Sequence, residues 1–174
     1  MGKFINKGND GFRKVINGAF VDKSGLIAVI NKTLDTERQY TCVTRSRRFG
    51  KTIAADMLCA YYDKSCDSRS LFEGLEIAQS DEIEEKDGTL VNKTDRQFEK
   101  HLNKYPVLYL DVTDFTTKYH RDANLSTHIQ EDIIAELLST YDGIERLAND
   151  DLMDVLVKIA EKTHSCKIER YTKK

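Results

Sequence analysis

The sequence predicts a three-layer α/β fold in which a mostly parallel β-sheet is flanked by helices on both faces. Two short apolar runs, residues 40–44 and 107–112, have the length and composition of buried strands. Between them, residues 53–62 repeat apolar side chains at helical spacing. Strands that alternate with helices are typical of parallel sheets. With only two clear strands and a minor extended piece at residues 20–24, we expect this sheet to be incomplete.

A Gly-Lys-Thr tripeptide stands between the first apolar run and the helix. Strand, polar loop, Gly-Lys-Thr and helix follow one another in this order in phosphate-binding loops. Because the first turn of a helix has N–H groups without intrahelical acceptors, a polyphosphate can bind there. Gly50 would allow close approach, Lys51 would reach the β- and γ-phosphates, and the Thr52 hydroxyl would ligate Mg²⁺. Arg45 stands where the general pattern has its first glycine. On the residues alone, an ordinary loop before a helix remains the alternative.

The loop also carries a more specific string. Residues 44–52 read Thr-Arg-Ser-Arg-Arg-Phe-Gly-Lys-Thr. This string resembles the variant loop of the bacterial and archaeal AAA-ATPase-like family of P-loop proteins, whose signature is Arg-Pro-Arg-Arg-Phe-Gly-Lys-Ser/Thr. Residues 20–27 resemble the upstream Tyr-Val-Asp-Lys-Thr segment of that family. Residues 57–62, followed by residues 70–75, resemble its helix after the loop and the short element that comes next. The likeness runs from about residue 11 to residue 142. Ser46 replaces the usual proline, which removes no ligand.

The resemblance implies ATP and Mg²⁺ as ligands. The residues that it assigns to the nucleotide are Arg47, Arg48, Phe49, Gly50, Lys51 and Thr52, although solvated arginines remain an alternative for the first two. Thr52 and Asp111 are the candidate Mg²⁺ ligands. Asp111 ends the second apolar run and invites a Walker B interpretation, but both topology and the resemblance favour a later strand for that aspartate. Asp22 and Lys23 match the upstream segment, which hints at a role near the nucleotide; a helix cap and a surface lysine are the alternative.

Residues 167–174 are polar and charged where the family has an apolar strand that ends in Asp-Glu. The glutamate of that pair polarises the attacking water, so we expect nucleotide binding over hydrolysis and leave ATPase activity uncertain. We predict that residues 1–174 are a single truncated domain, the N-terminal part of an AAA-like ATPase. Residues 80–95 are acidic and contain the turn signal Asp87-Gly88, so we predict a flexible insertion there.

Other interpretations stay open. An open sheet edge would favour pairing with another chain, as in a non-catalytic interaction fragment or a homo-oligomer. The family also suggests the ATPase module of a nuclease-associated system, with a nuclease-like domain beyond residue 174. A net charge of −2 opposes strong direct binding of nucleic acid. No run approaches the roughly 18 apolar residues of a membrane span. The four cysteines lack metal-ligand spacing, so we expect free, mostly buried thiols in a cytoplasmic protein.

Overall fold

The computed structural model describes residues 3–18, 20–79, 84–86, 89–91, 97–120 and 122–163. Helices dominate this part of the chain. They are α1 (Asp10–Ile16), α2 (Gly25–Asn31), α3 (Lys51–Tyr62), α4 (Arg69–Phe72), α5 (Glu76–Gln79), α6 (Gln97–Lys100), α7 (Val112–Lys118), α8 (Leu125–Thr140) and α9 (Leu152–Thr163). Two short strands, β1 (Glu84–Lys86) and β2 (Thr89–Val91), complete the described elements.

The predicted three-layer α/β fold with a mostly parallel sheet is wrong for the described residues. Neither residues 40–44 nor residues 107–111 form a strand. Tyr40 is 78% exposed, Val43 45% and Leu110 40%, whereas a buried parallel strand would cover such side chains. An apolar run becomes a strand only when neighbouring strands accept its backbone hydrogen bonds. Within the described residues, no strand forms a ladder with either run.

The only ladder in the described part of the chain is antiparallel. It joins β1 to β2, with Lys86 opposite Thr89. Both strands belong to the predicted flexible insertion at residues 80–95, most of which lies outside the described residues. The predicted turn at Asp87-Gly88 also lies outside them.

The chain divides into two compact units, which are described separately. Unit 1 is formed by Asn6–Tyr109, and its core is built on aromatic side chains. Phe12 of α1 stacks on Phe72 of α4 with ring centroids 5.1 Å apart, and Phe72 meets the ring of Tyr61 edge-on at 5.5 Å. Such aromatic pairs bury large apolar areas in defined geometries. This core covers the body of α3, while the first two residues of α3 remain exposed.

Unit 2 contains residues 3–5 and residues 110–163, so far as the structure describes them. Helix α8 packs against α7 and α9. Its buried face carries Ile133 and Leu137, and the Glu136 carboxylate accepts hydrogen bonds from the backbone N–H groups of Phe4 at 2.8 Å and Ile5 at 2.9 Å. The helices predicted at residues 124–141 and 150–163 are confirmed as α8 and α9, because their apolar spacing is long and regular.

Three cysteines fall within the described residues, and all three are free thiols, as predicted. Cys59 is buried, and desolvation raises its pKa to about 12, so this thiol stays protonated near neutral pH. Cys42 is exposed, which corrects the expectation that a strand would bury it. Cys166 lies outside the described residues. Among the helices that the structure describes, none has the length and apolar character needed to cross a membrane.

Candidate phosphate-binding site

The first turn of α3 carries unpaired backbone donors. Gly50 precedes it in the left-handed conformation, with φ 73° and ψ 31°, and no side chain in the described part of the chain caps the helix. The first helical hydrogen bond runs from the Ala54 N–H to the Gly50 carbonyl at 3.0 Å. The N–H groups of Lys51, Thr52 and Ile53 therefore have no acceptor among the described residues. Together with the helix dipole, these groups favour an anion at this end of α3.

The side chain of Lys51 turns back across the loop that precedes it. Its Nζ donates hydrogen bonds to the carbonyl oxygens of Arg45 at 2.7 Å and Ser46 at 3.0 Å. An ammonium group has three donors, so one remains available. The ammonium group of Lys51, which the sequence predicts to contact phosphate, thus binds the loop before α3. An incoming anion can replace the carbonyl groups that it contacts.

A second lysine contacts the same loop from a distant part of the sequence. The Nζ of Lys23 donates to the Phe49 carbonyl at 2.7 Å, across a separation of 26 positions. It also lies against Gly50, since a Cβ built on that glycine would be 2.8 Å from the Lys23 Nζ. The sequence analysis gave two alternatives for Lys23: a role near the nucleotide, or an ordinary surface lysine without such a role. In the folded chain it touches the loop.

The residues on either side of Lys23 hold its backbone in place. The Asp22 carboxylate accepts hydrogen bonds from the N–H groups of Ser24 and Glu76, both at 2.8 Å. The hydroxyl of Ser24, which is fully buried, accepts from the Ile77 N–H at 3.0 Å. Partial burial acts to raise the pKa of Asp22, but the hydrogen bonds from Glu76 and Ser24 outweigh it, and the pKa is lowered overall. Both flanking side chains therefore bind the first turn of α5.

Positive charge accumulates at the loop. Arg45, Arg47 and Arg48 are exposed, and they join Lys23 and Lys51 around the start of α3. Within the part of the chain that the structure describes, none of these five cations forms an ion pair with a carboxylate. Several neighbouring cations without carboxylate partners create a local positive potential that favours an anionic ligand, although the whole chain has a net charge of −2.

The six predicted nucleotide residues are contiguous, and the loop keeps them together. Arg48 adopts a left-handed φ of 68°, which no local pattern predicts for an arginine. The ring of Phe49 is 62% exposed. The Thr52 side chain is exposed, and its hydroxyl has no hydrogen-bond partner among the described residues. It is therefore available to a metal ion.

Asp111 has a local structural role. Its Oδ1 accepts a hydrogen bond from the Thr113 N–H at 2.9 Å, which caps the start of α7. Asp111 belongs to unit 2 and Thr52 to unit 1. Across the described residues, no group of three or more His, Cys, Asp or Glu side chains could hold a metal ion. The assignment of Thr52 and Asp111 as Mg²⁺ ligands stays a prediction.

Comparison with protein families gives a match that covers most of the chain. A family model described as "Predicted AAA-ATPase" matches residues 7–170, which include the loop, Lys23 and the described helices. Neither the curated proteins nor the solved structures contain a significant match to this chain.

Proposed function

The chain belongs to the predicted AAA-ATPase family, and we propose that it binds ATP with Mg²⁺ through residues 45–52. The observation that carries this proposal is the combination of unpaired N–H groups at the start of α3 with unpaired cations on the loop before it. Such a combination is a ready anion site. A polyphosphate is the anion whose length and charge match a helix end, an arginine-rich loop and a lysine together.

Each residue of the loop has a role in this proposal. Phosphate oxygens replace the Arg45 and Ser46 carbonyls as partners of Lys51. The N–H groups at the start of α3 bind the same phosphates, and Gly50 lets them approach because it has no Cβ. Thr52 supplies one oxygen to Mg²⁺, and phosphate and water oxygens complete the coordination shell that this ion prefers. When bound, Mg²⁺ shields the phosphate charge.

We propose binding over hydrolysis. Hydrolysis requires a carboxylate or amide that orients the attacking water. Asp111 is the strand-end candidate that the sequence offers for metal contact, and its carboxylate caps α7 instead. The resemblance places an Asp-Glu pair near residues 167–174, which lie outside the described residues and whose sequence contains no such pair. We therefore expect turnover to be slow compared with nucleotide exchange.

Isothermal titration of Mg-ATP into the full chain tests the proposal. Lys51→Ala should weaken binding by about tenfold or more, because a charge-assisted hydrogen bond to phosphate contributes roughly 1.5–3 kcal/mol. Lys32→Ala is the matched control, since Lys32 is an exposed lysine of unit 1 with no ion pair among the described residues. An affinity that Lys51→Ala leaves unchanged, or the absence of binding in the wild-type chain, would contradict the proposal.

A further inference from the structure

The ammonium group of Lys23 lies at the N-terminal end of α3. It lies against Gly50 and donates to the Phe49 carbonyl, in the loop whose Arg45 carbonyl accepts a hydrogen bond from the Lys51 ammonium. Among the described residues, Lys23 has no carboxylate partner. A cation without such a partner, beside the positive end of a helix, favours an anionic ligand. Among the described residues, the one hydrogen-bond partner of this ammonium is the Phe49 carbonyl, which leaves two donors for a ligand.

The backbone around Lys23 is held in place by hydrogen bonds to the residues on either side of it. Asp22 and Ser24 both bind the first turn of α5, at Glu76 and Ile77. A long lysine side chain loses up to about 2 kcal/mol of rotamer entropy when it is held in place. The hydrogen bonds of Asp22 and Ser24 restrict the backbone on both sides of Lys23. Less entropy is therefore lost when its ammonium group is held at the loop.

We propose that Lys23 is a second phosphate-binding lysine, whose ammonium group bridges the Phe49 carbonyl and the phosphates of a bound polyphosphate. This inference rests on the proposed function of the loop and adds a residue from another part of the sequence. Lysine suits the role because its compact charge and three rotatable donors can serve a carbonyl and a phosphate at once. Two lysines at one end of α3 then share the charge of one ligand.

The inference defines the class of ligand. Two point charges, from Lys23 and Lys51, favour a chain of two or three phosphates over a single phosphate. The site should therefore bind ATP and ADP much better than AMP, and inorganic triphosphate should compete with ATP. The alternative is that Lys23 only fixes the orientation of the peptide group between Phe49 and Gly50. That role would affect all ligands equally.

Titrations with four probes separate these roles: Mg-ATP, Mg-ADP, AMP and inorganic triphosphate. Lys23→Met should weaken Mg-ATP and triphosphate about tenfold, as expected for the loss of one charge-assisted hydrogen bond, with a much smaller effect on AMP. Lys23→Arg, which keeps the charge, should restore most of the affinity for triphosphate. Lys32→Met removes an exposed lysine of the same unit as the control and should behave as wild type.

Amine labelling of the wild-type chain gives a second measurement that needs no variant. Acetylation of Lys23, followed by mass spectrometry, should slow when Mg-ATP is added, while acetylation of Lys32 should not change. Acetylation proceeds through the neutral amine. A bound phosphate favours the charged form of a lysine and shields its nitrogen from the reagent, so this protection reports contact.

Three results would overturn the inference. Equal loss of affinity for AMP and ATP in Lys23→Met would leave only the peptide-orienting role. Wild-type affinity in Lys23→Met, with unchanged labelling of Lys23, would show a plain surface lysine. If either of these two results is found while Lys51→Ala still weakens binding, the proposed function stands and the inference about Lys23 alone fails. If the wild-type chain binds none of the probes, both fail together.

Discussion

Gly50 occupies a position that favours glycine for two reasons. Its φ of 73° lies in the left-handed region, and a Cβ at this position would lie 2.8 Å from the Lys23 Nζ. An L-residue in this conformation costs about 1–2 kcal/mol. The contact between a Cβ and the Lys23 ammonium adds little strain, because this end of the side chain can move. Moving it breaks the hydrogen bond from Lys23 to the Phe49 carbonyl. Gly50 therefore allows the left-handed turn into α3 and also leaves space for the Lys23 ammonium group.

Gly50→Ala should lower the free energy of unfolding by about 1 kcal/mol, as expected for an L-residue at positive φ, and should also weaken Mg-ATP binding. Urea denaturation measures the first effect and calorimetric titration the second. Gly74→Ala is the control, because a Cβ there has nothing within 4 Å. If Gly50→Ala and Gly74→Ala have the same free energy of unfolding and the same affinity for Mg-ATP, the close approach at Gly50 does not contribute to either property.

The predicted site residues illustrate what local sequence can show. Arg47 to Thr52 are adjacent in the chain, so a motif identifies them together without knowledge of the fold. Their assignment to nucleotide binding remains a proposal. Lys23 is different, since it reaches Phe49 only through the anchors at Asp22 and Ser24. No spacing rule connects positions so far apart. The resemblance of residues 20–27 was the one signal that pointed toward Lys23.

The segment before α2 depends on the charge of one carboxylate. Hydrogen bonds from Glu76 and Ser24 lower the pKa of Asp22 below its ordinary value of 3.8, although partial burial opposes them. A lowered pKa in the folded state means that the ionised group stabilises the fold. This stabilisation is fully present above the ordinary pKa and disappears as the pH falls through the lowered one.

Asp22→Asn should therefore destabilise unit 1 near neutral pH and lose this effect in acid. We expect about 1 kcal/mol, less than the roughly 1.5–3 kcal/mol of a hydrogen bond to a charged group, because the carboxylate is largely solvated. Urea denaturation of wild type and variant, near neutrality and again below pH 3.8, measures the difference. Asp35→Asn is the control, since asparagine tolerates the positive φ of 59° at that position. A difference between wild type and Asp22→Asn that persists unchanged in acid would contradict this role of the carboxylate.

Helices and strands differ in how far the sequence predicts them. The apolar spacing of α3, α8 and α9 is a local property, and all three helices form where it predicts them. The runs at residues 40–44 and 107–112 satisfy the local rules for strands equally well. A strand also needs partners from distant parts of the chain, which a local pattern cannot supply. Within the described residues those partners are missing, and the predicted parallel sheet is wrong.

Charge is distributed unevenly over the chain. The net charge is −2, yet five unpaired cations gather around the start of α3 within the described residues. Composition alone argues against an anionic partner, whereas the local arrangement favours one. The membership in the AAA-ATPase family, predicted from the arginine-rich string, is confirmed by a match over residues 7–170. The family was thus easier to predict than the fold, because a short motif suffices for the first and long-range pairing decides the second.

Backbone amide NMR spectra of the full chain, recorded with and without Mg-ATP, test the central claim most directly. If residues 45–52 bind the phosphates, the N–H signals of Lys51, Thr52 and Ile53 should shift most, because phosphate oxygens become their hydrogen-bond acceptors. The signal of Gly50 should follow, and amides of unit 2 such as those of α8 should shift least. Spectra that Mg-ATP leaves unchanged, or shifts that centre on α8 instead, would contradict a phosphate site at the start of α3.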